Sequence, residues 1–252
     1  MAEIRAKKAL GQHFLRDLSA AERIADALSL EGYEQVLEVG PGTGVLTQYL
    51  MPKSVEVHAI ELDRESIPVL QSNFPGLSAR LYHADLLRWK LVEPLATGPF
   101  ALVGNYPYNI STQIVFWMIE HRALIPEMVG MFQKEVAERV CAAHGSKTYG
   151  ILSVLIQVYY EAEYLFTVPP HVFNPPPKVN SGVLRLRRRA EWPEDVAYAD
   201  LKRLTKAAFN QRRKTLRNSL RAGGFAIDGI DEATLKLRPE QLSPEAFVNL
   251  AR

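Results

Sequence analysis

The chain has 252 residues, 47% apolar and 23% charged, the make-up of an ordinary globular protein with enough length to bury a full core. Its one cysteine, Cys141, excludes an intrachain disulfide and points to a reducing compartment, where a thiol in an apolar helical stretch reads as a packed core residue. No apolar run reaches 18 residues, and no apolar segment follows the charged start Met1 to Lys8, so neither a membrane anchor nor a signal peptide is expected and the location reads as cytoplasmic.

The net charge of +2 conceals an asymmetry: residues 185–221 hold twelve Lys/Arg against four acids, which leaves the rest of the chain net acidic. A segment of that kind faces a polyanion.

In chain order, residues 1–17 form a basic arm whose end, Gly11-Gln12-His13-Phe14-Leu15, carries the apolar residues to dock on the body. A helix is expected over residues 19–30, with Ser19 as N-cap and Glu22 completing a capping box. A short apolar strand, residues 35–39, runs into Gly40-Pro41-Gly42-Thr43-Gly44 and then a helix through Val45, Leu46 and Leu50. Strand, glycine turn and helix open a doubly wound α/β domain. The Gly-x-Gly-x-Gly spacing suits a nucleoside lying close over glycine backbone better than a dinucleotide pyrophosphate.

A second strand, residues 55–60, ends in Glu61-Leu62-Asp63, where an acid can accept both hydroxyls of a ribose. A third, residues 79–82, leads to Asp85, placed to accept from an adenine amino group. Either acid alone would read as a solvated strand end. Three successive strand ends carrying a glycine turn, an acid and an acid share one crevice in such sheets.

The fourth strand, residues 100–103, ends in Gly104-Asn105-Tyr106-Pro107-Tyr108. Asn105 offers one side-chain acceptor and two donors. Pro107 fixes its own φ and favours an extended Tyr106, which fixes the direction of the Tyr106 carbonyl. Tyr108 adds a flat face. Two acceptors beside a π face suit an exocyclic amino group on a flat heterocycle, although a strand entering a proline turn would give the same four residues. A helix is expected from Ser111-Thr112, its polar N-cap side toward the crevice. A fifth strand (127–132), a helix (134–142), a buried helix (149–160) and a strand (163–168) follow.

Residues 169–177 contain five prolines and cannot be helix or central strand. They either join two antiparallel strands or hold Phe173 rigidly over a site; the second reading is favoured. Beyond Arg189 the pattern turns helical after a Trp192-Pro193 linker. Residues 210–220 read as one amphipathic basic helix without compensating acids, suited to phosphate contact, and Ser243-Pro244 opens a last short helix. No zinc spacing, P-loop or Gly-x-Ser-x-Gly is present.

Taken together, Gly11-Gln12-His13-Phe14-Leu15, Glu38-Val39-Gly40-Pro41-Gly42-Thr43-Gly44, Ile60-Glu61-Leu62-Asp63, Asp85, Gly104-Asn105-Tyr106-Pro107-Tyr108, Phe173-x-Pro-x-Pro-Lys-Val-x-Ser181 and Phe209-x-Gln-Arg-Arg-Lys-Thr-Leu-Arg217 resemble the ribosomal RNA small-subunit adenine dimethyltransferases. That family includes the erythromycin-resistance methylases and the mitochondrial transcription factor B proteins. The resemblance covers nearly the whole chain. It implies an α/β fold: a Rossmann-like, seven-stranded S-adenosylmethionine-dependent methyltransferase sheet over residues 1–189, and a small all-helical, RNA-contacting domain over residues 190–252. It implies S-adenosylmethionine as cosubstrate, no metal, and N6-dimethylation of two adjacent adenosines near the 3′ end of small-subunit rRNA. The expected partner is that rRNA within an immature 30S particle, with the protein a monomer and no membrane involved.

By position, the resemblance gives His13 and Leu15 to the arm that closes over the cofactor, Gly40 and Gly42 to its floor, Glu61 to its ribose and Asp85 to its adenine. Asn105 falls between donor and acceptor, with Tyr106 and Pro107 shaping the turn, and Tyr108 and Phe173 match the rings that stack on the target base. Arg212, Arg213, Lys214 and Arg217 would meet phosphates. The chain departs from the family pattern twice: His13 stands where asparagine is common, and Tyr106 where the motif usually has leucine. If position 106 acts through its backbone carbonyl, the second change matters little; otherwise a bulkier side chain there alters the width of the pocket and the re-entry of a monomethylated base. Rival readings are a large-subunit methylase of the macrolide-resistance type, a non-catalytic assembly factor on the same fold, and a nicotinamide-dependent dehydrogenase, the last disfavoured by the glycine spacing.

Overall fold

The computed structural model describes residues 6–211 and 213–252. Nine strands are found there: β1 (Phe14–Leu15), β2 (Gln35–Val39), β3 (Glu56–Glu61), β4 (Leu81–His83), β5 (Phe100–Asn105), β6 (Glu127–Gln133), β7 (Tyr160–Val168), β8 (Phe173–Asn174) and β9 (Ser181–Arg188). Seven of them form one sheet in the order β4-β3-β2-β5-β6-β9-β7. The five from β4 to β6 run parallel, and β9 pairs antiparallel with β6 from Glu127↔Arg187 to Gln133↔Ser181. Val36, Leu37, Leu102, Val103, Met128 and Val129 are fully buried, as strands covered on both faces require. The order reverses at β2, which has β3 on one side and β5 on the other, so the strand ends there open a crevice.

The helices are α1 (Leu18–Asp26), α2 (Thr47–Leu50), α3 (Ser66–Asn73), α4 (Ser111–Glu120), α5 (Lys134–Cys141), α6 (Ile151–Gln157), α7 (Tyr198–Asn210), α8 (Leu216–Ala222), α9 (Glu232–Lys236) and α10 (Pro244–Ala251). Two expected caps differ. Asp17, not Ser19, caps α1 by accepting from the Ala20 amide, and the helix stops at Asp26. An aspartate outside the first turn satisfies an orphan donor that serine two residues later would meet from within the helix. The residue before α4 is Ile110, without a side-chain cap; the Ser111 hydroxyl instead donates back to the Tyr108 carbonyl at 3.3 Å. The α10 start is as expected: Ser243 accepts from Ala246 N–H, with Pro244 in the first turn. Cys141 is half-buried rather than a core residue.

The chain divides into two compact units, one running to Ala137 and including Glu163–Arg188, the other Glu138–Ala162 with Arg189–Arg252. The break after Arg188 lies beside the expected boundary. Residues 138–162, expected in the first domain, cluster with the second, because α6 packs against α7 and α10. In that unit the rings of Tyr149 and Phe209 lie 6.1 Å apart, and Phe209 stacks on Phe247 at 5.7 Å.

Candidate active site

At the end of β2 the backbone turns through Gly40 and Gly42, both left-handed with φ of 68° and 59°. Most L-residues avoid that region, hence the glycines. The Gly40 amide donates to the Ile60 carbonyl at 2.9 Å, tying the turn to β3. The Gly42 amide donates to Glu61 Oε2 at 2.9 Å, and the Asp63 amide to Oε1 at 2.7 Å. Burial pushes the Glu61 carboxyl up from its ordinary range, and those two amide bonds only partly oppose it. Beneath the turn lies Glu38, 1% exposed, accepting from the Thr47 hydroxyl at 2.6 Å. Burial raises its carboxyl to about 8; the Thr47 bond works against the rise and the nearby Glu61 adds to it.

These residues border a cavity of about 270 Å³, lined by Gly40, Gly42, Glu61, Asp85, Asn105 and Tyr108 among others. A Cβ at Gly40 would meet no atom within 4 Å, so the glycine leaves open space above the turn. Asp85 follows β4 and accepts from the Leu87 amide at 3.0 Å, capping a single 3₁₀ turn over Leu86–Arg88. A glycine floor, an acid at each of two strand ends and the apolar Ile60 and Leu86 fit a nucleoside with a short side chain, and S-adenosylmethionine is such a molecule. Among the described residues no group of three or more His, Cys, Asp or Glu could hold a metal ion.

β5 runs to Asn105, two residues longer than expected, and the Tyr106 amide extends its pairing by donating to Met131 O at 3.2 Å. The Asn105 side-chain Nδ2 donates to the His13 carbonyl at 2.9 Å. That bond spends the donor end of the amide on the arm; among the described residues no donor meets Asn105 Oδ1 or the Tyr106 carbonyl. The Tyr106 ring turns inward and is 1% exposed, its hydroxyl donating to Val129 O at 3.3 Å. It fits because residues 104 and 130, paired across β5 and β6, are both glycine: a Cβ at Gly130 would fall 2.0 Å from the ring. The larger ring at 106 is therefore taken up by the core. Tyr108 shares a hydrogen bond between its hydroxyl and that of Ser181, which is fully buried at the start of β9.

The arm lies along the cavity. Lys7 Nζ donates to Asp63 Oδ1 at 2.6 Å and Gln12 Nε2 to Oδ2 at 3.0 Å. Burial would raise the Asp63 carboxyl, but the Lys7 and Gln12 bonds outweigh it and hold the group below its usual range. His13 Nδ1 donates to the Pro175 carbonyl at 2.7 Å, and its ring sits 5.5 Å from that of Tyr108. Phe14 covers the glycine turn, so that a Cβ at Gly42 would stand 3.0 Å from its ring.

Two expected site residues turn toward the core. β1 and β8 form a small antiparallel sheet in which Leu15 pairs with Phe173. Alternation along paired strands turns these two to the same side, and both are buried in the hydrophobic core at 5% and 3% exposure. Phe173 therefore presents no ring to either cavity beside Tyr108, whereas Leu15 anchors the arm and borders a smaller pocket with Gly40, Gly42 and Asn105. The prolines after Phe173 serve the connection between strands, the less favoured of the two roles the sequence allows them.

The expected basic helix over residues 210–220 is two helices. α7 stops at Asn210, Lys214 N–H closes a turn on Gln211 O at 2.8 Å, and α8 begins at Leu216 after an extended Thr215. Arg213 and Lys214 are exposed in this turn; Arg212 lies outside the described residues. Arg217 is not uncompensated, since it donates to Glu232 in an ion pair.

Several contributors carried no role in the sequence reading: Glu38, Lys7, Asp63, Ser181 and Gly130. Glu38 had a visible signal, a lone carboxylate inside an apolar strand. The others depend on contacts between residues far apart in sequence.

A seven-stranded sheet in this order, with a glycine turn after its first parallel strand and acids at the next two strand ends, defines a Rossmann-like methyltransferase. The family described as "Ribosomal RNA adenine dimethylase" matches residues 3–236. A Flavobacterium johnsoniae protein named "Ribosomal RNA small subunit methyltransferase A" is 50% identical over 252 residues, covering 100% of this chain and 97% of its own. A Porphyromonas gingivalis protein of the same name is 53% identical over 254 residues, covering 99% and 98%. Among solved structures, a dimethyladenosine transferase from Plasmodium falciparum superposes with a TM-score of 0.80 at 24% identity, covering 94% of this chain and 96% of that one, a likeness of fold. The 23S rRNA methyltransferase ErmE has a TM-score of 0.69 at 27% identity, covering 94% and 99%. The chain belongs to the ribosomal RNA adenine dimethylase family, methyltransferases that use S-adenosylmethionine and act on ribosomal RNA. Among the described residues no helix is long and apolar enough to cross a membrane.

Proposed function

We propose that the protein transfers methyl groups from S-adenosylmethionine to N6 of two adjacent adenosines near the 3′ end of small-subunit (16S) rRNA, two to each base, as the 30S particle matures. One observation carries the reading: Asn105, Tyr106, Pro107 and Tyr108 line the same cavity as the glycine turn, Glu61 and Asp85. Relatives half identical to it that carry a small-subunit name favour that target over the large-subunit target in the name of ErmE. The protein works as a cytoplasmic monomer with no membrane partner.

Adenine N6 is a weak nucleophile because its lone pair is delocalised into the ring. S-adenosylmethionine, when bound, supplies a methyl carbon on a sulfonium whose leaving group is a neutral thioether. Glu61 holds the ribose hydroxyls, Asp85 the cofactor's amino group, and Gly40 and Gly42 allow close approach of backbone. His13 closes the arm over the cofactor, with Leu15 as its anchor. The target base leaves its strand and stacks on Tyr108, a contact worth roughly 1–3 kcal/mol. Asn105 Oδ1 and the Tyr106 carbonyl, held in direction by Pro107, accept the N6 hydrogens, which localises the lone pair on nitrogen and lines it up with the methyl carbon. The N–C bond forms as the C–S bond breaks, sulfur keeps the electron pair, and the N6 proton passes to water. Arg213 and Lys214 meet phosphates.

The test is transfer of labelled methyl to immature 30S particles, naked 16S rRNA and 50S particles, with the modified nucleoside identified by mass spectrometry. Dimethyladenosine in the 30S sample alone is expected. Label in 23S rRNA, or none in any sample, overturns the proposal.

A further inference from the structure

A second cavity opens beside the first. It encloses about 730 Å³, within the range of roughly 300–1,000 Å³ that ligand sites span. The arm contributes Lys8, Gln12 and His13 to its wall, the 105–109 turn contributes Tyr108 and Asn109, and the proline-rich segment contributes Lys178. Gln12, His13, Tyr108 and Asn109 line both cavities, so the two adjoin at the Tyr108 ring. Among the described residues no aspartate or glutamate lines the second cavity. Lys8 and Lys178 are exposed, and among the described residues neither has an acidic partner. Their neighbour in sequence makes the contrast: Lys7 is tied to Asp63 at 2.6 Å and Glu65 at 3.0 Å. One lysine of the pair fastens the arm and the other is left to the cavity.

A base stacked on Tyr108 stays joined to its ribose and two flanking phosphates. Those cannot enter the first cavity, whose walls at the far end carry Glu61 and Asp85. They need space on the other side of the ring, free of carboxylates and supplied with cations. We infer that the second cavity receives the sugar–phosphate of the extruded nucleotide, with Lys8 and Lys178 on its flanking phosphates. The inference rests on the function proposed above. It adds an RNA-binding site of the arm and proline-rich segment, separate in sequence from Arg213 and Lys214. Asn109 supplies an amide group for a ribose hydroxyl, whereas both ends of the Gln12 amide are engaged, with Asp63 and the Lys7 amide.

The test is equilibrium binding of a 16S rRNA 3′ stem-loop to the full chain across a range of KCl, for the unaltered protein and for Lys8→Gln/Lys178→Gln. Taking two cations away from single-stranded phosphates should make the slope of log K against log salt shallower by about 1.4, and each single variant by about 0.7. Lys8→Arg/Lys178→Arg should restore the slope. Calorimetry with S-adenosylmethionine should give an affinity within about twofold of the unaltered protein, which separates a missing phosphate partner from a displaced arm. An unchanged slope overturns the inference, and so does a shallower slope accompanied by an equal loss of cofactor affinity. If the unaltered protein binds this RNA but leaves immature 30S particles unmethylated, the proposed function fails while the lysine result still stands by itself.

Discussion

The side chain of Asn105 donates to the main-chain carbonyl of His13 at 2.9 Å, joining the end of β5 to a residue 92 positions earlier. One amide thus has two duties. Its nitrogen holds the arm over the cavity, and its oxygen is left to accept from a substrate. Asn105→Ala removes both and should lower methyl transfer by at least about a hundredfold, the usual cost of losing a preorganised polar contact at the reacting atom. RNA affinity in a filter-binding assay should fall far less, since of the side chains assigned to phosphates only Lys8 rides on the arm. Asn105→Asp keeps the acceptor and loses the donor, so it should loosen the arm: limited proteolysis should cut ahead of Phe14 faster than in the unaltered protein. An Asn105→Ala enzyme with full activity would sink the assignment.

Tyr108 and Ser181 meet through their hydroxyls, and Ser181 is fully buried on a strand of the sheet. The bond fixes the plane of the only ring in the 105–108 turn that borders both cavities. Tyr108→Phe and Ser181→Ala should each lower kcat/KM for RNA by about fivefold, the worth of one neutral hydrogen bond near 1 kcal/mol. The double variant should be no worse than either single one, because both remove the same bond. Additive losses in this cycle would mean that each hydroxyl acts alone.

Glu38 makes stability depend on pH in a stated direction. Unfolded, its carboxyl titrates near 4.5; folded, burial lifts it to about 8. Between those values the folded chain keeps a proton that the unfolded chain has lost, so stability falls as pH rises through that window and is fully regained below it. Glu38→Gln keeps an acceptor for the Thr47 hydroxyl and cannot ionise. Urea unfolding at about pH 5.5 and about pH 8 should therefore show a smaller drop in the variant. Some slope will remain, because the Glu61 carboxyl is also raised by burial. Equal slopes in the two proteins would show that Glu38 does not carry the effect.

Much of this arrangement is legible before folding. The Gly40 turn, the acids at 61 and 85 and the Asn105 turn are punctuated by residues with few alternative uses, and all border one cavity. Phe173 misled because a stiff segment says that a ring is held, not which way it faces. Its side is set by pairing with Leu15, a contact across the chain that no local pattern encodes. Tyr106 was legible as a departure, but the place its ring takes was not, since that space is made by Gly130 on the next strand. Gly130→Ala would bring a methyl within 2.8 Å of the Gly104 carbonyl as well as into the ring, so a loss above about 3 kcal/mol in urea unfolding is expected.

The basic segment divides by its partners. Arg213 and Lys214 are exposed in the turn between α7 and α8, whereas Arg217 is engaged with Glu232. A phosphate would have to compete with that carboxylate for Arg217, but not with a described one for its two neighbours. Arg213→Gln/Lys214→Gln should make the salt dependence of rRNA binding shallower, by about 0.7 to 0.9 for each phosphate no longer neutralised. Arg217→Gln should leave that slope nearly unchanged and cost stability by no more than about 1 kcal/mol, as befits an ion pair near solvent. Glu232→Gln separates the possibilities further. It frees the arginine, so if Arg217 can reach RNA, binding at low salt should tighten and the slope steepen. A steeper slope in Glu232→Gln that vanishes in Arg217→Gln/Glu232→Gln would show the acid to be a brake on a third phosphate interaction; no change would confine that arginine to holding α8 against α9.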